Sequence, residues 1–208
     1  MSLCLNTRSI KERLDDLEIA REELIKQGRD IVNLCRNIVT KTVLSEEAEE
    51  LVKQLKQQFN KLLSSIYQYP ELLYANIFYN IAIEYVEAIQ LYYITKEHRV
   101  LPPDEINVHP VPYLLGLIEV IGELKRLSLE FVRKNRFDDA YSLLEVAENL
   151  FNCLSSFSYP DALLPGFRRK LDIYRKVIDD WKKFLLDMES RRKLIQKLDA
   201  LLKDVKTN

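Results

Sequence analysis

The chain has 208 residues, of which 47% are hydrophobic and 30% are charged, and its net charge is −1. This composition suits a folded domain with a real core, and it excludes both a disordered chain and a globally basic nucleic-acid binder. Because no stretch of about 18 apolar residues is free of charge and Met1–Thr7 lacks the features of a signal peptide, we expect a cytoplasmic protein without a membrane span. Three distant cysteines, Cys4, Cys35 and Cys153, give no zinc-site spacing and fit a reducing compartment.

The first half of the chain predicts three long helices. A heptad-like stripe of leucine and isoleucine predicts a first helix over about 7–41. Ser45, followed by acidic residues, is typical of a capping position and predicts the start of a second helix that ends near Tyr67. Pro70 predicts the start of a third helix that continues to about Glu97.

A proline-rich segment separates these helices from the later ones. Residues 99–112 contain four prolines and predict one long loop. Three further helices are predicted, over about 112–134, 138–157 and 165–203, and no alternating strand pattern occurs. The expected fold is all-α: an antiparallel bundle of six to seven long helices in a single domain, 1–208.

Two of the predicted helices carry glutamates inside apolar sequence. Glu84 and Glu87 lie three residues apart in a stretch that holds no lysine or arginine between Glu71 and Thr95. Such spacing places both carboxylates on one face of a helix that is otherwise apolar almost all round.

The next helix repeats this pattern. Glu119 and Glu123, four residues apart, are the only charges between Val111 and Leu124. Gly116 and Gly122 stand beside them, and a glycine inside a helix costs about 0.5–1 kcal/mol relative to alanine. A close approach of another backbone, or room for a substrate or ion, would explain these glycines.

Burial of carboxylates without a counter-charge is energetically unfavourable, and a divalent cation bound between them neutralises their charge. Mg²⁺ and Mn²⁺ prefer oxygen ligands and can activate a water for attack on a phosphodiester. The candidate metal ligands and catalytic residues are therefore Glu84, Glu87, Glu119 and Glu123. The pattern alone leaves a second interpretation open, in which these glutamates pair with arginines of other helices. A di-iron site is not favoured, because neither helix contains the Glu-x-x-His motif.

Two groups of basic residues are candidates for phosphate contacts. Lys26, Arg29 and Arg36 recur at helical spacing in the first helix, and Arg168 and Arg169 stand near the start of the last. The alternative is that they form ordinary surface ion pairs with neighbouring acids. In the last helix, Trp181 and Phe184 predict a contact between subunits, since aromatic residues are enriched at interfaces.

Four segments resemble the translin/Trax family. They are RDIVNLCRNI at 29–38, EYVEAI at 84–89, PYLLGLIEVIGELKRLSLEFV at 112–132 and LPGFRRKLDIYRKVIDDWKKFLLDM at 164–188. The resemblance covers nearly the whole chain in order, and the segment that begins at Pro112 is the most specific.

The resemblance implies a translin-like all-α fold, a hollow octameric shell and RNA held inside it. In the catalytic, Trax-like subunits the acids are two glutamates on the central helix, then an aspartate and, four residues later, a glutamate on the next helix. Glu84 and Glu87 match the first pair and Glu123 matches the last, whereas Glu119 stands at the aspartate position with a longer side chain.

The implied function is an endoribonuclease that depends on Mg²⁺ or Mn²⁺ and acts inside a homo-oligomer. The short chain, without long insertions, resembles archaeal members whose shell is built from one subunit type. The alternative function is a non-catalytic, translin-like protein that binds single-stranded nucleic acid, with single-stranded DNA as a further ligand beside RNA.

Overall fold

The computed structural model describes residues 7–207, with side chains described through residue 202, so Cys4 lies outside the described residues. The described residues form eight helices and no strand, which confirms the predicted all-α fold. Six of the helices are long: α1 (Thr7–Val43), α2 (Glu49–Ile66), α4 (Asn76–Glu97), α6 (Pro110–Arg133), α7 (Phe137–Leu154) and α8 (Phe167–Thr207). Two are single turns, α3 (Pro70–Leu73) and α5 (Pro103–Ile106). Within residues 7–207, no helix combines the length and apolar character that a membrane crossing needs.

The prediction that Ser45 caps the second helix is wrong. Ser45 has a φ of 63°, and its N–H donates to the Thr42 carbonyl at 3.0 Å while the Glu46 N–H donates to the Lys41 carbonyl at 2.8 Å. These two bonds form a Schellman motif, so Ser45 ends α1 instead of beginning α2. The N-cap of α2 is Ala48, which provides no side-chain hydrogen bond.

The predicted third helix is interrupted near its start. Tyr74 ends α3, and Ala75 adopts an extended backbone (φ −75°, ψ 144°) before α4 begins. The predicted loop over 99–112 is also shorter than expected, because it contains α5 and because α6 begins at Pro110.

The chain divides into two compact units, Met1–Val120 and Ile121–Asn208. In the first unit, α1 packs along α4 and against α2. The predicted stripe of the first helix is confirmed in its second half, where Leu24, Ile31 and Ile38 are buried. The rings of Phe59 in α2 and Tyr85 in α4 stack at 3.8 Å between centroids, which joins these two helices in the core. The single domain over 1–208 stays a prediction.

In the second unit, α7 packs on α8 around Trp181. The Trp181 side chain is fully buried, and its Nε1–H donates to the Ser128 hydroxyl at 3.0 Å. The prediction that Trp181 anchors a subunit contact is therefore wrong, because the indole is part of the core. Phe184, by contrast, is 39% exposed.

Candidate functional site

The α1–α4 pair forms a groove that combines both signs of charge. Gly28 lies where α1 meets α4, and a Cβ there would collide with the Ile81 side chain. Beside this contact lies a groove of about 520 Å³, here named the α1–α4 groove. Its polar lining consists of Arg29, Asn33, Arg36, Asn80 and Glu84, and its remaining lining is apolar apart from the backbone of Gly28.

The two arginines of this groove are exposed to solvent. The structure gives neither guanidinium an ion-pair partner among the residues it describes. Arg29 and Arg36 are seven residues apart on α1, which places them two turns, or about 10 Å, apart along the helix axis. Both are therefore available to an anionic ligand that runs along the groove.

Glu84 and Glu87 lie close to the buried part of α1. Burial raises the pKa of the Cys35 thiol, and the negative charges of Glu84 and Glu87 raise it further. Both carboxylates are half-buried and near enough to Cys35 for their charges to act on it. Glu84 and Glu87 therefore form an acidic edge of α4, and Glu84 shares the α1–α4 groove with the two arginines.

Gly116 lets α6 cross directly over α4. A Cβ at Gly116 would lie 2.6 Å from the Val86 Cβ and 2.8 Å from the Ile83 carbonyl oxygen. The close backbone approach that the glycine predicts is therefore confirmed at this position. Glu84 and Glu87 directly follow the two α4 residues at this crossing, and Glu119 lies three residues beyond it on α6.

Glu123 belongs to the second unit. Its carboxylate accepts a hydrogen bond from Arg126 Nη1 at 3.2 Å, and its side chain is 20% exposed. Glu123 therefore forms an ion pair with an arginine, as the second interpretation of the sequence predicts, although Arg126 belongs to the same helix and not to another one.

The carboxylates do not form a closed metal cage in the single chain. Among the residues that the structure describes, no group of three or more histidine, cysteine, aspartate or glutamate side chains is placed to hold a metal ion. Magnesium, however, is often bound through one or two carboxylates, with waters and substrate phosphates as its other ligands. The pair Glu84 and Glu87 fits that open mode of binding and does not fit an all-protein cage.

The structure separates the predicted basic residues. Lys26 lines a different groove, between α1 and α2, where Lys61 also lies, so it does not share the surface of Arg29 and Arg36. Arg168 and Arg169 are exposed at the start of α8 in the second unit.

Sequence reasoning missed two polar residues of the α1–α4 groove. Asn33 lies four residues after Arg29 on α1, and Asn80 lies four residues before Glu84 on α4. Residues four apart share a face of a helix, so this spacing was the signal that could have identified them.

The fold and the groove together define an all-α protein of long packed helices with a mixed acidic and basic groove between two of them. The sequence profile of the Translin family matches residues 8–206, and the chain therefore belongs to the translin family.

Relatives and solved structures agree with this assignment. An uncharacterized protein of Methanocaldococcus jannaschii is 28% identical over 169 residues, which cover 80% of this chain and 75% of the relative. The crystal structure of AfC3PO is similar with a TM-score of 0.79 and 29% identity, over 90% of this chain and 99% of that one. AfC3PO in complex with duplex RNA gives a TM-score of 0.80 and 28% identity, over 90% and 98% of the two chains. The crystal structure of apo-NeC3PO, at 24% identity and a TM-score of 0.79, covers 90% of this chain and 100% of that one, and it supports the fold alone.

Proposed function

We propose that this protein binds RNA in the α1–α4 groove and hydrolyses its phosphodiester bonds with the help of Mg²⁺ or Mn²⁺. The observation that carries the proposal is that Arg29, Arg36 and Glu84 line one groove. Membership of the translin family and the similarity to AfC3PO, which was solved with duplex RNA, support RNA as the ligand.

In this proposal, the arginines hold the RNA backbone. A guanidinium can bind a phosphate through two parallel hydrogen bonds, which fixes its position as well as its charge. Arg29 and Arg36 would contact phosphates two helical turns apart and so align the strand with the groove. Asn33 and Asn80 carry amide groups that can donate to phosphate or ribose oxygens.

The acidic edge would provide the catalytic residues. Glu84 and Glu87 would hold the metal, and Glu119 on α6 would be the third of the predicted ligands. Glu123, the fourth predicted ligand, belongs to the second unit, where it pairs with Arg126. When bound, a divalent cation supplies an activated water and stabilises the leaving oxygen. The arginines would place a phosphodiester next to Glu84, which otherwise repels it, so binding and cleavage would use neighbouring residues.

We further propose that the active form is a homo-oligomer, with an octamer as the expected state. The last turns of α8 expose a series of large apolar side chains that a second subunit would cover. They are Leu194, Ile195, Leu198, Leu201 and Leu202, each at least 50% exposed. Repetition of the α1–α4 groove around such an assembly would concentrate positive charge despite a net charge near zero.

A second candidate function is RNA binding without cleavage. It is favoured by two observations, the lack of a three-ligand cluster in the described part of the chain and the pairing of Glu123 with Arg126. Both candidate functions predict the same affinity for RNA, but only the first predicts cleavage of the bound RNA.

Cleavage of an end-labelled fluorescent RNA separates them. The wild type should cleave in Mg²⁺ or Mn²⁺ and not in EDTA, and Glu84→Gln and Glu87→Gln should bind the RNA but not cleave it. Glu50→Gln, a change at an exposed α2 glutamate, is the matched control and should retain activity. Cleavage that persists in EDTA, or in the double variant of Glu84 and Glu87, would rule out the proposed nuclease. Binding without turnover under every metal condition would establish the second candidate.

A further inference from the structure

A second and larger cavity in the first unit has an aromatic character. It has a volume of about 940 Å³ and lies where the end of α2, the α3–α4 junction and the segment after α5 meet. We name it the tyrosine pocket after Tyr67 and Tyr74, and its lining also includes Asn60, Asn107 and His109.

The tyrosine rings are unusually open to solvent. Tyr67 is 79% exposed and Tyr74 is 64% exposed. The Tyr74 ring meets the His109 ring edge-on, with 5.8 Å between the centroids. The His109 ring also stacks nearly parallel to the Tyr79 ring, with 6.2 Å between the centroids. The pocket therefore presents two accessible π surfaces, and that of Tyr74 is held by a neighbouring ring.

The polar groups of the pocket suit a neutral ligand better than a phosphate. Of the described residues that line it, Asp104 is the only one with a full charge, and this charge is negative. Asn60 and Asn107 each carry an amide that can donate and accept hydrogen bonds. Rings for stacking and amides at the edge are the features by which proteins bind unstacked nucleobases.

The wall that carries Asn107 and His109 is fixed in place. The Gln90 side chain donates to the Leu101 carbonyl at 2.7 Å and accepts from the Leu101 N–H at 3.0 Å. The Tyr113 hydroxyl donates to the same carbonyl at 2.8 Å. These buried bonds anchor Leu101 to α4 and α6, and they fix the start of the segment that carries Asn107 and His109.

We propose that the tyrosine pocket takes one nucleobase, unstacked from an RNA strand whose backbone lies in the α1–α4 groove. This inference rests on the proposed function, because it takes RNA as the ligand. The two cavities are neighbours along α4: Phe78 lines the pocket, while Ile77 and Glu84 line the groove. Phe78 and Glu84 are six residues apart, which is about 9 Å along the helix. Six residues also turn the helix to a net angle of about 120°, so a strand that reaches both sites must pass around α4 as well as along it.

The test compares RNA with an oligonucleotide of the same length and charge that lacks bases. Tyr67→Leu and Tyr74→Leu remove the rings and keep apolar side chains, and Tyr159→Leu is the matched control, since Tyr159 is 59% exposed and does not line the pocket. We expect each pocket variant to lose about 5- to 150-fold in affinity for RNA, the range of one base–aromatic stack. Affinity for the abasic strand should not change, and the control should match the wild type for both ligands.

Two results would overturn the inference. One is an equal affinity of wild type and pocket variants for RNA. The other is a change in oligomer mass of the variants by light scattering, which would make the pocket a contact between subunits.

The fluorescent nucleoside 2-aminopurine riboside tests the pocket independently of RNA binding and of variant folding. Quenching of its emission by the wild type, lost in Tyr74→Leu or competed by adenosine, would support the pocket even if RNA were not bound and the proposed function failed. No quenching by the wild type would overturn the inference even if RNA were bound and cleaved.

Discussion

Replacement of Gly116 by alanine tests the close crossing of α4 and α6 next to Glu84 and Glu87. The new Cβ would lie 2.6 Å from the Val86 Cβ and 2.8 Å from the Ile83 carbonyl oxygen. A long side chain could rotate away from such a contact, but a backbone carbonyl and a β-branched Cβ cannot. The two helices must therefore separate by several tenths of an ångström.

The size of the effect follows from two opposing contributions. Overpacking of a well-packed core costs about 1–3 kcal/mol. The change from glycine to alanine inside a helix returns about 0.5–1 kcal/mol. Because the contacts at Gly116 are under 3.0 Å and include a backbone oxygen, the cost lies in the upper part of that range, about 2–3 kcal/mol. The net loss in the free energy of unfolding should therefore be about 1–2.5 kcal/mol. With a urea dependence of about 2 kcal/mol per M, the unfolding midpoint should fall by roughly 0.5–1.2 M.

The assay is urea unfolding followed by helical circular dichroism at fixed protein concentration, with Gly122→Ala as the control. A Cβ at Gly122 would lie 3.4 Å from the Tyr174 hydroxyl oxygen, which is an ordinary contact. This second variant on the same helix should therefore be as stable as the wild type or slightly more stable. If Gly116→Ala were equally stable, the close approach of α4 and α6 would be refuted.

Three further predictions concern the thiols, the groove and the oligomer. Burial and the nearby glutamates raise the pKa of the Cys35 thiol, so little Cys35 thiolate forms near pH 8.5. Mass spectrometry should therefore find Cys35 unalkylated by iodoacetamide when the exposed Cys153 has reacted. Equal alkylation rates of the two thiols would contradict this. Arg36→Ala should reduce the steepness of log affinity for RNA against log salt concentration by about 0.7–1. Arg21→Ala should leave this slope unchanged, because Arg21 is already paired with Glu18 and Glu22. An Arg36→Ala slope equal to that of the wild type would argue against Arg36 as a phosphate contact. Leu198→Glu should reduce the mass of the oligomer measured by light scattering. Lys197→Glu, a change at the exposed neighbouring residue, should leave this mass unchanged. An unchanged mass for Leu198→Glu would argue against α8 as the subunit contact.

The sequence was sufficient to predict the long helices, because their apolar periodicity reflects burial directly. Leu24, Ile31 and Ile38 recur every seven residues and are buried as predicted. The break at Ala75 was not predictable in this way, since no glycine or proline marks it within the apolar run. At Ser45 the pattern misled, because a serine before acidic residues is typical of a helix start, while here the left-handed backbone at that residue ends the preceding helix.

The candidate site was only partly predictable for a different reason. The spacing of Glu84 and Glu87 within one helix showed that they share a face, but which residues of α1 they meet depends on how α1 and α4 are rotated against each other. That rotation places Arg29 and Arg36 in the groove with Glu84 and directs Lys26 to the α2 side. The rotation of one helix against another is set by the packing of the whole unit, and no local sequence pattern encodes it.

A crystal structure of the protein grown with Mn²⁺ and a non-hydrolysable RNA would show whether Glu84 and Glu87 hold a metal ion beside bound RNA. We expect an anomalous difference peak within coordination distance of the Glu84 and Glu87 carboxylates, with an RNA phosphate as a further ligand and with Arg29 or Arg36 on a neighbouring phosphate. Carboxylates of Glu84 and Glu87 bound instead to arginines of another subunit, with no metal peak and no RNA backbone in the α1–α4 groove, would contradict this expectation.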